Sequence, residues 1–345
     1  MALFRNDYSE CAHPNIINAL MRASNEQNVG YGCDAHCLRA SELIKGKIGR
    51  SDLDIHFLVG GTQTNLIGIS SFLRPYQAVI APETGHINTH ETGAVEATGH
   101  KILTKKCPDG KLKAEDIEEI LAEYTDEHLV KPAMVYISNS TEIGTIYSKS
   151  ELTEIHQCCK KHGLYLFLDG ARLGSALCSK NNDLTLKDIS ELVDLFYIGG
   201  TKNGAMLGEA MVICNSELKQ DFRYMMKQRG ALMAKGYVLG IQFEELFKDD
   251  LYFKLANHAN EMSERLKAAF KEVNCSMLVD SPTNQIFPIF PRKIAEVLME
   301  RYGCELWKRI DQDQICIRFV TSWATKEEDV LECLSYIKNI MLHID

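Results

Sequence analysis

Lys202 is the residue whose setting in the sequence most directly predicts chemistry. It follows an apolar run at residues 195–198, and three glycines flank it: Gly199, Gly200 and Gly204. A lysine on a tight turn at the end of a strand can form a Schiff base with a carbonyl compound. Burial disfavours the ammonium form and thereby makes the amine nucleophilic near neutral pH. The alternative is an exposed loop lysine with no chemical role.

A second apolar run, residues 164–168, ends in Asp169, and Arg172 follows three residues later. A carboxylate at the carboxyl end of a parallel strand lies where such sheets bind ligands. The alternative is structural: Asp169 caps the next helix and Arg172 is its ion-pair partner. The segment alone leaves both interpretations open.

A third apolar run enters a turn at Gly60, Gly61 and Thr62 and then a helical pattern. Backbone N–H groups at the start of a helix bind phosphate, and the helix dipole supports them. The turn is neither a Walker loop nor a three-glycine dinucleotide motif, and glycine turns between strand and helix are common. The order of phosphate turn, aspartate and lysine favours one site that uses all three.

The elements that would position these residues alternate between apolar, β-branched runs and amphipathic segments, which predicts a mostly parallel sheet covered by helices. The predicted strands are residues 55–59, 78–80, 133–137, 165–168, 195–198 and 210–214. The predicted helices are residues 34–47, 64–73, 114–124, 149–162 and 216–228.

The pattern changes near residue 239 to longer helices, the first of them at residues 251–273. It is followed by predicted strands at 276–279, 285–289 and 314–320 and by helices at 293–302 and 326–341. We therefore expect an N-terminal arm (1–14), a large domain (15–247) and a small α+β domain (248–345). No linker-like composition separates the two domains, so a helix should join them.

Composition argues against several classes of protein. The chain has 345 residues and a formal charge of −9, which does not suit a nucleic-acid partner. No apolar run approaches a membrane span, so we expect no membrane partner and a cytoplasmic location. The twelve cysteines are scattered, which favours reduced thiols. The segment from Cys33 to Cys37 lacks a second ligand pair, so we expect no metal.

Seven segments, taken in order, resemble the threonine aldolases of the fold-type-I pyridoxal-phosphate enzymes. The segments are Asp7 to Pro14, Tyr31 to Asp34, Gly60 to Leu66, His86 to Ala94, Asp169 to Leu173, Thr201 to Ala205 and Ile317 to Val320. The resemblance implies a transferase-like α/β fold with a large domain on a seven-stranded, mostly parallel sheet and a small C-terminal domain. It also implies pyridoxal 5′-phosphate as cofactor and a homodimer or homotetramer with active sites at the dimer interface.

The resemblance assigns roles residue by residue. Lys202 would carry the cofactor covalently, and Asp169 would pair with the pyridine nitrogen and keep it protonated. Gly61 and Thr62 would hold the phosphate, while His86 would stack on the ring.

A second set of implied roles concerns the substrate. Arg172 and Arg318 would bind the carboxylate of an amino acid with help from Ser9, since a guanidinium matches a carboxylate bidentately. Arg172 would also lie beside the cofactor, and Arg229 would reach a phosphate, either in its own subunit or across a dimer interface.

The implied reaction is retroaldol cleavage of L-threonine, L-allo-threonine or a related β-hydroxy-α-amino acid to glycine and an aldehyde. Many family members carry a histidine after the middle strand where this chain has Glu142. Glu142, His86 and His90 are therefore all candidates for the base at the β-hydroxyl. β-Elimination and transamination remain alternatives on the same scaffold, and a non-catalytic binding protein is a further one.

Overall fold

A computed structural model describes residues 3–342 and contains two sheets. The first has seven strands in the order β1-β7-β6-β5-β4-β2-β3, and β7 alone runs against the other six. The strands are β1 (Asp54–Leu58), β2 (Gln77–Pro82), β3 (Ile102–Lys105), β4 (Lys131–Ser138), β5 (Tyr165–Asp169), β6 (Leu195–Gly199) and β7 (Glu209–Ile213). The predicted mostly parallel sheet is confirmed.

Helices cover both faces of this sheet, because alternate strand residues point into two separate apolar layers. In β4, Val135 and Ile137 enter one layer, whereas Met134 and Tyr136 enter the other. The helices are α1 (Pro14–Arg22), α2 (Ala35–Ile48), α3 (Gly61–Ser70), α4 (His86–Thr89), α5 (Ala114–Glu123), α6 (Lys149–His162), α7 (Leu173–Leu177), α8 (Leu186–Leu192), α9 (Phe222–Gln228) and α10 (Tyr237–Phe247).

The predicted elements of this part lack β3 and the helices α1, α4, α7 and α8, and they merge two other elements into one. The edge strand β3 was not predicted, since its four residues give too little alternation for a pattern. The helix expected over residues 216–228 is instead a 3-10 turn, Ser216–Leu218, followed by α9. Asp221 separates them, because its φ of 60° is left-handed and interrupts a right-handed helix.

The second sheet is antiparallel and lies in the C-terminal part of the chain. Its strands are β8 (Ser276–Met277), β9 (Gln285–Ile286), β10 (Pro288–Pro291), β11 (Glu305–Arg309) and β12 (Gln314–Val320), and its helices are α11 (Leu251–Glu272), α12 (Arg292–Tyr302) and α13 (Glu327–Leu342). Strand β11 was not predicted, because its side chains are mostly exposed and polar. The single strand expected at 285–289 is split between β9 and β10.

Helix α11 belongs to both parts of the molecule. Tyr252 and Leu255 pack in the core of the large sheet, whereas Met262, Leu266 and Phe270 pack in the core of the second sheet. A continuous helix therefore joins the two parts, as the sequence suggested. The domain limits at residues 14 and 247 remain a proposal.

The N-terminal segment crosses the second sheet before it reaches the large one. Phe4 N–H donates to the Tyr302 carbonyl at 2.8 Å, and Val320 N–H donates to the Phe4 carbonyl at 2.9 Å. Farther along, His13 N–H donates to the Gly204 carbonyl at 2.8 Å. The arm is thus fixed beside the loop that carries Lys202. Within residues 3–342, none of the helices combines the length and the hydropathy that a membrane span requires.

Candidate active site

The main cavity, of about 780 Å³, opens at the carboxyl ends of the parallel strands and is also lined by β11 and β12. This is the edge at which open α/β sheets bind ligands. Its polar or charged lining residues are Tyr8, Thr62, Thr84, His86, Thr89, His90, Glu142, Arg172, Tyr197, Thr201, Lys202, Glu209, Glu305 and Arg318. The lining includes most of the site residues that were predicted from the sequence.

Close backbone packing holds the ends of three central strands together. Asn139 N–H donates to the Asp169 carbonyl at 2.9 Å, and Gly199 N–H donates to the Gly170 carbonyl at 2.9 Å. A Cβ atom at Gly170 would lie 1.8 Å from the Tyr197 carbonyl oxygen, so only glycine allows this approach. The Asp169 turn and the Lys202 turn are therefore positioned by the same contacts.

Lys202 lines the cavity from a turn that is fixed at both ends. Thr201 N–H donates to the Gly208 carbonyl at 3.1 Å, and Asn203 N–H donates to the Gly200 carbonyl at 2.8 Å. Burial lowers the pKa of the Lys202 amine, and the nearby charge of Arg172 lowers it further. A larger fraction of the amine is therefore neutral and nucleophilic near neutral pH.

Asp169 lies buried below the cavity, with four donors around its carboxylate. Oδ1 accepts from the Tyr197 hydroxyl at 2.6 Å and from the Ala171 N–H at 2.9 Å. Oδ2 accepts from the Tyr136 hydroxyl at 2.5 Å and from Asn65 Nδ2 at 3.0 Å. Four donors suit a group that only accepts, as an ionised carboxylate does.

A chain of hydrogen bonds links His86 to this carboxylate. His86 Nδ1 lies 2.8 Å from Glu91 Oε1, which also accepts from Asn65 Nδ2 at 2.8 Å. Burial is the largest single effect and would lower the pKa of His86, but the hydrogen bond to Glu91 and the charges of Glu142 and Asp169 together outweigh it and raise the pKa. The imidazole is thus held in one orientation, with its Nδ1 directed at a buried acid.

The turn between β1 and α3 brings a helix N-terminus to the same cavity, where Gly60, Gly61 and Thr62 form the lining. Thr64 N–H donates to the Gly60 carbonyl at 3.0 Å as the first bond of the helix. The N–H groups before it have no acceptor within the helix, which makes this end an anion-binding position.

The two predicted carboxylate-binding arginines have different neighbours. Arg172 donates to both carboxylate oxygens of Asp7, at 2.7 and 3.0 Å, so the alternative that Asp169 is its ion-pair partner is wrong. Arg318 donates to Glu305, and its guanidinium lies 5.6 Å from the Trp307 ring centroid. Arg318 Nε is buried and has no hydrogen-bond acceptor among residues 3–342.

Comparison with known proteins supports the chemistry of this cavity. A family model described as beta-eliminating lyase matches residues 4–291. The chain belongs to the beta-eliminating lyase family. Within it, a low specificity L-threonine aldolase from a Pseudomonas species is 32% identical over 344 residues, which cover 98% of this chain and 97% of the relative. The corresponding protein from Pseudomonas aeruginosa is 31% identical over 341 residues, with the same coverage.

Solved structures of similar proteins agree with the family assignment. A threonine aldolase from Leishmania major matches with a TM-score of 0.97 at 50% identity, over 99% of this chain and 100% of that one. An aspartate aminotransferase from Thermus thermophilus matches with a TM-score of 0.73 at 13% identity and shares the fold. The expected fold-type-I architecture is confirmed.

Enzymes of the beta-eliminating lyase family depend on pyridoxal 5′-phosphate, and the cavity contains the chemical groups that this cofactor requires. The Lys202 amine suits its aldehyde, and the Asp169 carboxylate suits its pyridine N–H. The N-terminus of α3 suits its phosphate. The donor set therefore fits pyridoxal phosphate, and this protein of the beta-eliminating lyase family is a cofactor-dependent enzyme.

Glu142 lines the cavity from the loop after β4, and His90 lines it from the end of α4. Glu142 is buried, and a Cβ atom at Gly144 would lie 2.2 Å from Ser281 Oγ, so glycine allows this loop to pack on the second part of the chain. His90 is exposed as a whole, but its ring is buried enough to lower its pKa. The charge of Glu142 opposes that effect.

Besides Asp169, which lies below the cavity, two predicted residues lie outside its lining. Ser9 is exposed, and its hydroxyl donates to Asn6 Oδ1 at 2.9 Å, while the neighbouring Tyr8 lines the cavity. Arg229 is exposed at the C-terminal end of α9. Because its predicted role involves a neighbouring subunit, that role stays a prediction.

Proposed function

We propose that this enzyme cleaves L-threonine, L-allo-threonine or a related β-hydroxy-α-amino acid into glycine and an aldehyde. One observation carries the proposal: a single cavity holds Lys202, two arginines for a carboxylate and the buried Glu142. The names of the Pseudomonas and Leishmania relatives support the choice of a threonine-like substrate.

Pyridoxal phosphate, when bound, supplies an electron sink that stabilises negative charge at the Cα atom of an attached amino acid. We propose that Lys202 attaches it and that Asp169 accepts a hydrogen bond from its ring nitrogen. The N–H groups of Gly61 and Thr62 would bind its phosphate, and the imidazole of His86 would cover one face of the ring.

The substrate carboxylate would lie between Arg172 and Arg318. Asp7 holds Arg172 in a fixed orientation through two hydrogen bonds, so its remaining N–H groups have a defined direction. Fixing the carboxylate decides which bond at Cα stands perpendicular to the cofactor ring and breaks. In a retroaldol reaction this is the Cα–Cβ bond.

The β-hydroxyl must lose its proton as that bond breaks. His86 is the weaker candidate, because we propose that its ring covers the cofactor and because its raised pKa keeps more of the imidazole protonated, which leaves less of it able to accept a proton. Glu142 lies buried in the cavity, and its charge acts to raise the pKa of both His86 and His90. We therefore propose that Glu142 is the base that accepts the β-hydroxyl proton, with His90 as the second candidate.

We also propose a quaternary state and a location. A homodimer or homotetramer would bring Arg229 toward a neighbouring active site, and we propose that role for it. Light scattering of the purified protein measures the subunit number. The cytoplasmic location also remains a proposal.

The visible spectrum and the products of L-threonine test the proposed reaction. We expect a yellow protein that releases glycine and acetaldehyde, whereas Lys202→Ala should release neither. Release of 2-oxobutanoate and ammonia by β-elimination, or of a transaminated keto acid, would retain the cofactor and replace the reaction. A colourless wild-type protein that stays inactive with added cofactor would overturn the proposal.

A further inference from the structure

Glu209 is a buried carboxyl group at the cavity that the roles above leave unused. It begins β7 and lies opposite Leu58 of β1 and Gly199 of β6. Its side chain shares a sheet face with Met211, two residues later. The Met211 methyl group would lie 3.0 Å from a Cβ atom at Gly68 of α3. Glu209 therefore lies on the face that α3 covers, at the end where α3 begins.

The groups around Glu209 come from the two turns of the active site. Its Oε2 accepts from the Gly200 N–H at 3.1 Å, and the nearby Thr201 hydroxyl lowers its pKa. Lys202 and Asp169 are the charged groups that act on it most strongly. Its partner in β1 is the apolar Leu58, so no countercharge comes from that strand.

Burial raises the pKa of Glu209 to about 8, the charge of Lys202 opposes this rise, and the charge of Asp169 adds to it. A protonated carboxyl group can donate a hydrogen bond, whereas a carboxylate only accepts. A carboxylate beside a phosphate dianion would be repelled, because two like charges in a buried site disfavour each other's ionisation.

We propose that Glu209 is a protonated hydrogen-bond donor to the phosphate group of the cofactor, next to the turn at Gly60, Gly61 and Thr62. This inference rests on the proposed position of the phosphate at the start of α3. Binding a phosphate-bearing ligand then requires one proton on Glu209, so the site takes up a proton whenever the free protein has lost it.

The proposal predicts a pH dependence with a definite sign. Above the pKa of Glu209, affinity for the phosphate group falls by up to about tenfold for each pH unit. Lys202 has the opposite effect on cofactor binding, because a rise in pH makes more of its amine neutral and a neutral amine reacts more readily with the aldehyde. Pyridoxal, which has the aldehyde but no phosphate, reports the effect of Lys202 alone.

The experiment measures dissociation constants of pyridoxal phosphate and pyridoxal for the cofactor-free enzyme, by absorbance, from about pH 7 to about pH 9.5. The lower limit lies above the second phosphate pKa of about 6, so the phosphate charge stays constant. In the wild type, we expect the dissociation constant of pyridoxal phosphate, divided by that of pyridoxal, to rise with pH. In Glu209→Gln the ratio should be flat, because the amide remains a donor at every pH.

Inorganic phosphate and a surface variant provide the controls. Phosphate binding to Lys202→Ala should weaken with pH as well, since it needs no Schiff base. The exposed Glu217→Gln should behave like the wild type. A flat ratio in the wild type, or the same slope in Glu209→Gln, would overturn the proposal.

These outcomes are separate from the test of the proposed reaction, because they measure binding and not turnover. An enzyme that cleaves threonine but shows a flat ratio would retain the reaction and lose the role of Glu209. If the protein forms no visible absorbance with pyridoxal phosphate, the proposed function is wrong, and the role of Glu209, which rests on it, is wrong as well.

Discussion

Asp169 lies below the cavity, at the part of the site that we call the cofactor end, and Arg318 lines the cavity from the second sheet, at the part that we call the substrate end. The chain surrounds their charges differently. Asp169 is buried and accepts hydrogen bonds from four donors, which belong to strands, a loop and a helix of the part built on the large sheet. Arg318 belongs to the second sheet and is held by Glu305, whose side chain is 48% exposed. The hydrogen-bond partners of Asp169 are therefore all fixed inside the protein, whereas the partner of Arg318 is an acid at the surface.

This difference matches the two ligands of the site, a cofactor that stays bound and a substrate that exchanges. A cofactor that stays bound gains from fixed, buried donors, because no reorganisation is needed during the reaction. A substrate that enters and leaves in each turnover must replace an existing partner of Arg318. Substitutions at the two ends should therefore alter different kinetic constants.

Replacing the charge at the cofactor end should have the largest effect. Asp169→Asn keeps the shape but removes the charge that holds a proton on the pyridine nitrogen, and we expect kcat to fall by about a thousandfold. Absorbance of the bound cofactor and the retroaldol rate are measured together. A variant that binds cofactor and retains more than a tenth of wild-type kcat would contradict the role of Asp169.

The proposed base belongs to the substrate end, and its loss should come next in size. Glu142→Gln should lower kcat by about a hundredfold while cofactor absorbance is unchanged, since general-base catalysis contributes on that order. His90→Asn is the matched variant on the same side of the cavity. If Glu142→Gln remains active and His90→Asn does not, the base is His90.

The cofactor end was more predictable from sequence than the substrate end. Lys202, Asp169 and Gly61 each follow an apolar run, and the alternation of strands and helices brings the ends of parallel strands to one edge. Strand β11, which supplies Glu305, was missed because its side chains are mostly exposed and give no apolar alternation. Periodicity identifies elements with a buried face, and β11 lacks one.

Contacts between distant residues were not predicted even where the elements were. Tyr136 and Tyr197 lie in apolar runs and resemble ordinary core residues, yet both hydroxyls donate to Asp169. The partner of Arg172 is Asp7, 165 residues away. Sequence patterns indicate which face of an element is buried, but they do not indicate which polar group of another element meets it.

The link between His86 and Asp169 offers a smaller and more specific test of the cofactor end. In Glu91→Gln the acceptor of His86 loses its charge, so the pKa of His86 should fall. In the wild type that raised pKa stabilises the fold fully below pH 6.5, the ordinary histidine pKa, and the gain is lost as pH rises through the raised pKa. Glu91→Gln should therefore lose stability mainly at low pH.

NMR titration of the imidazole resonances measures this change directly. His56 is an internal control, because burial lowers its pKa to about 4, its ring lies beside Phe222, and it is not among the residues that line the cavity. Its titration should be the same in both proteins. An unchanged pKa of His86 in Glu91→Gln would mean that Glu142, and not Glu91, controls its charge.

The smallest predicted effect concerns Glu305, the residue that competes with substrate for Arg318. An ion pair with a half-exposed partner is worth at most about 1 kcal/mol, so Glu305→Gln should lower KM by no more than about fivefold and leave kcat unchanged. The difference from the wild type should shrink as salt is added, because exposed charges are screened. The exposed Glu300→Gln is the matched control. A rise in KM would instead mean that Glu305 holds the Arg318 guanidinium in its binding orientation, and the substrate end would then be as preorganised as the cofactor end.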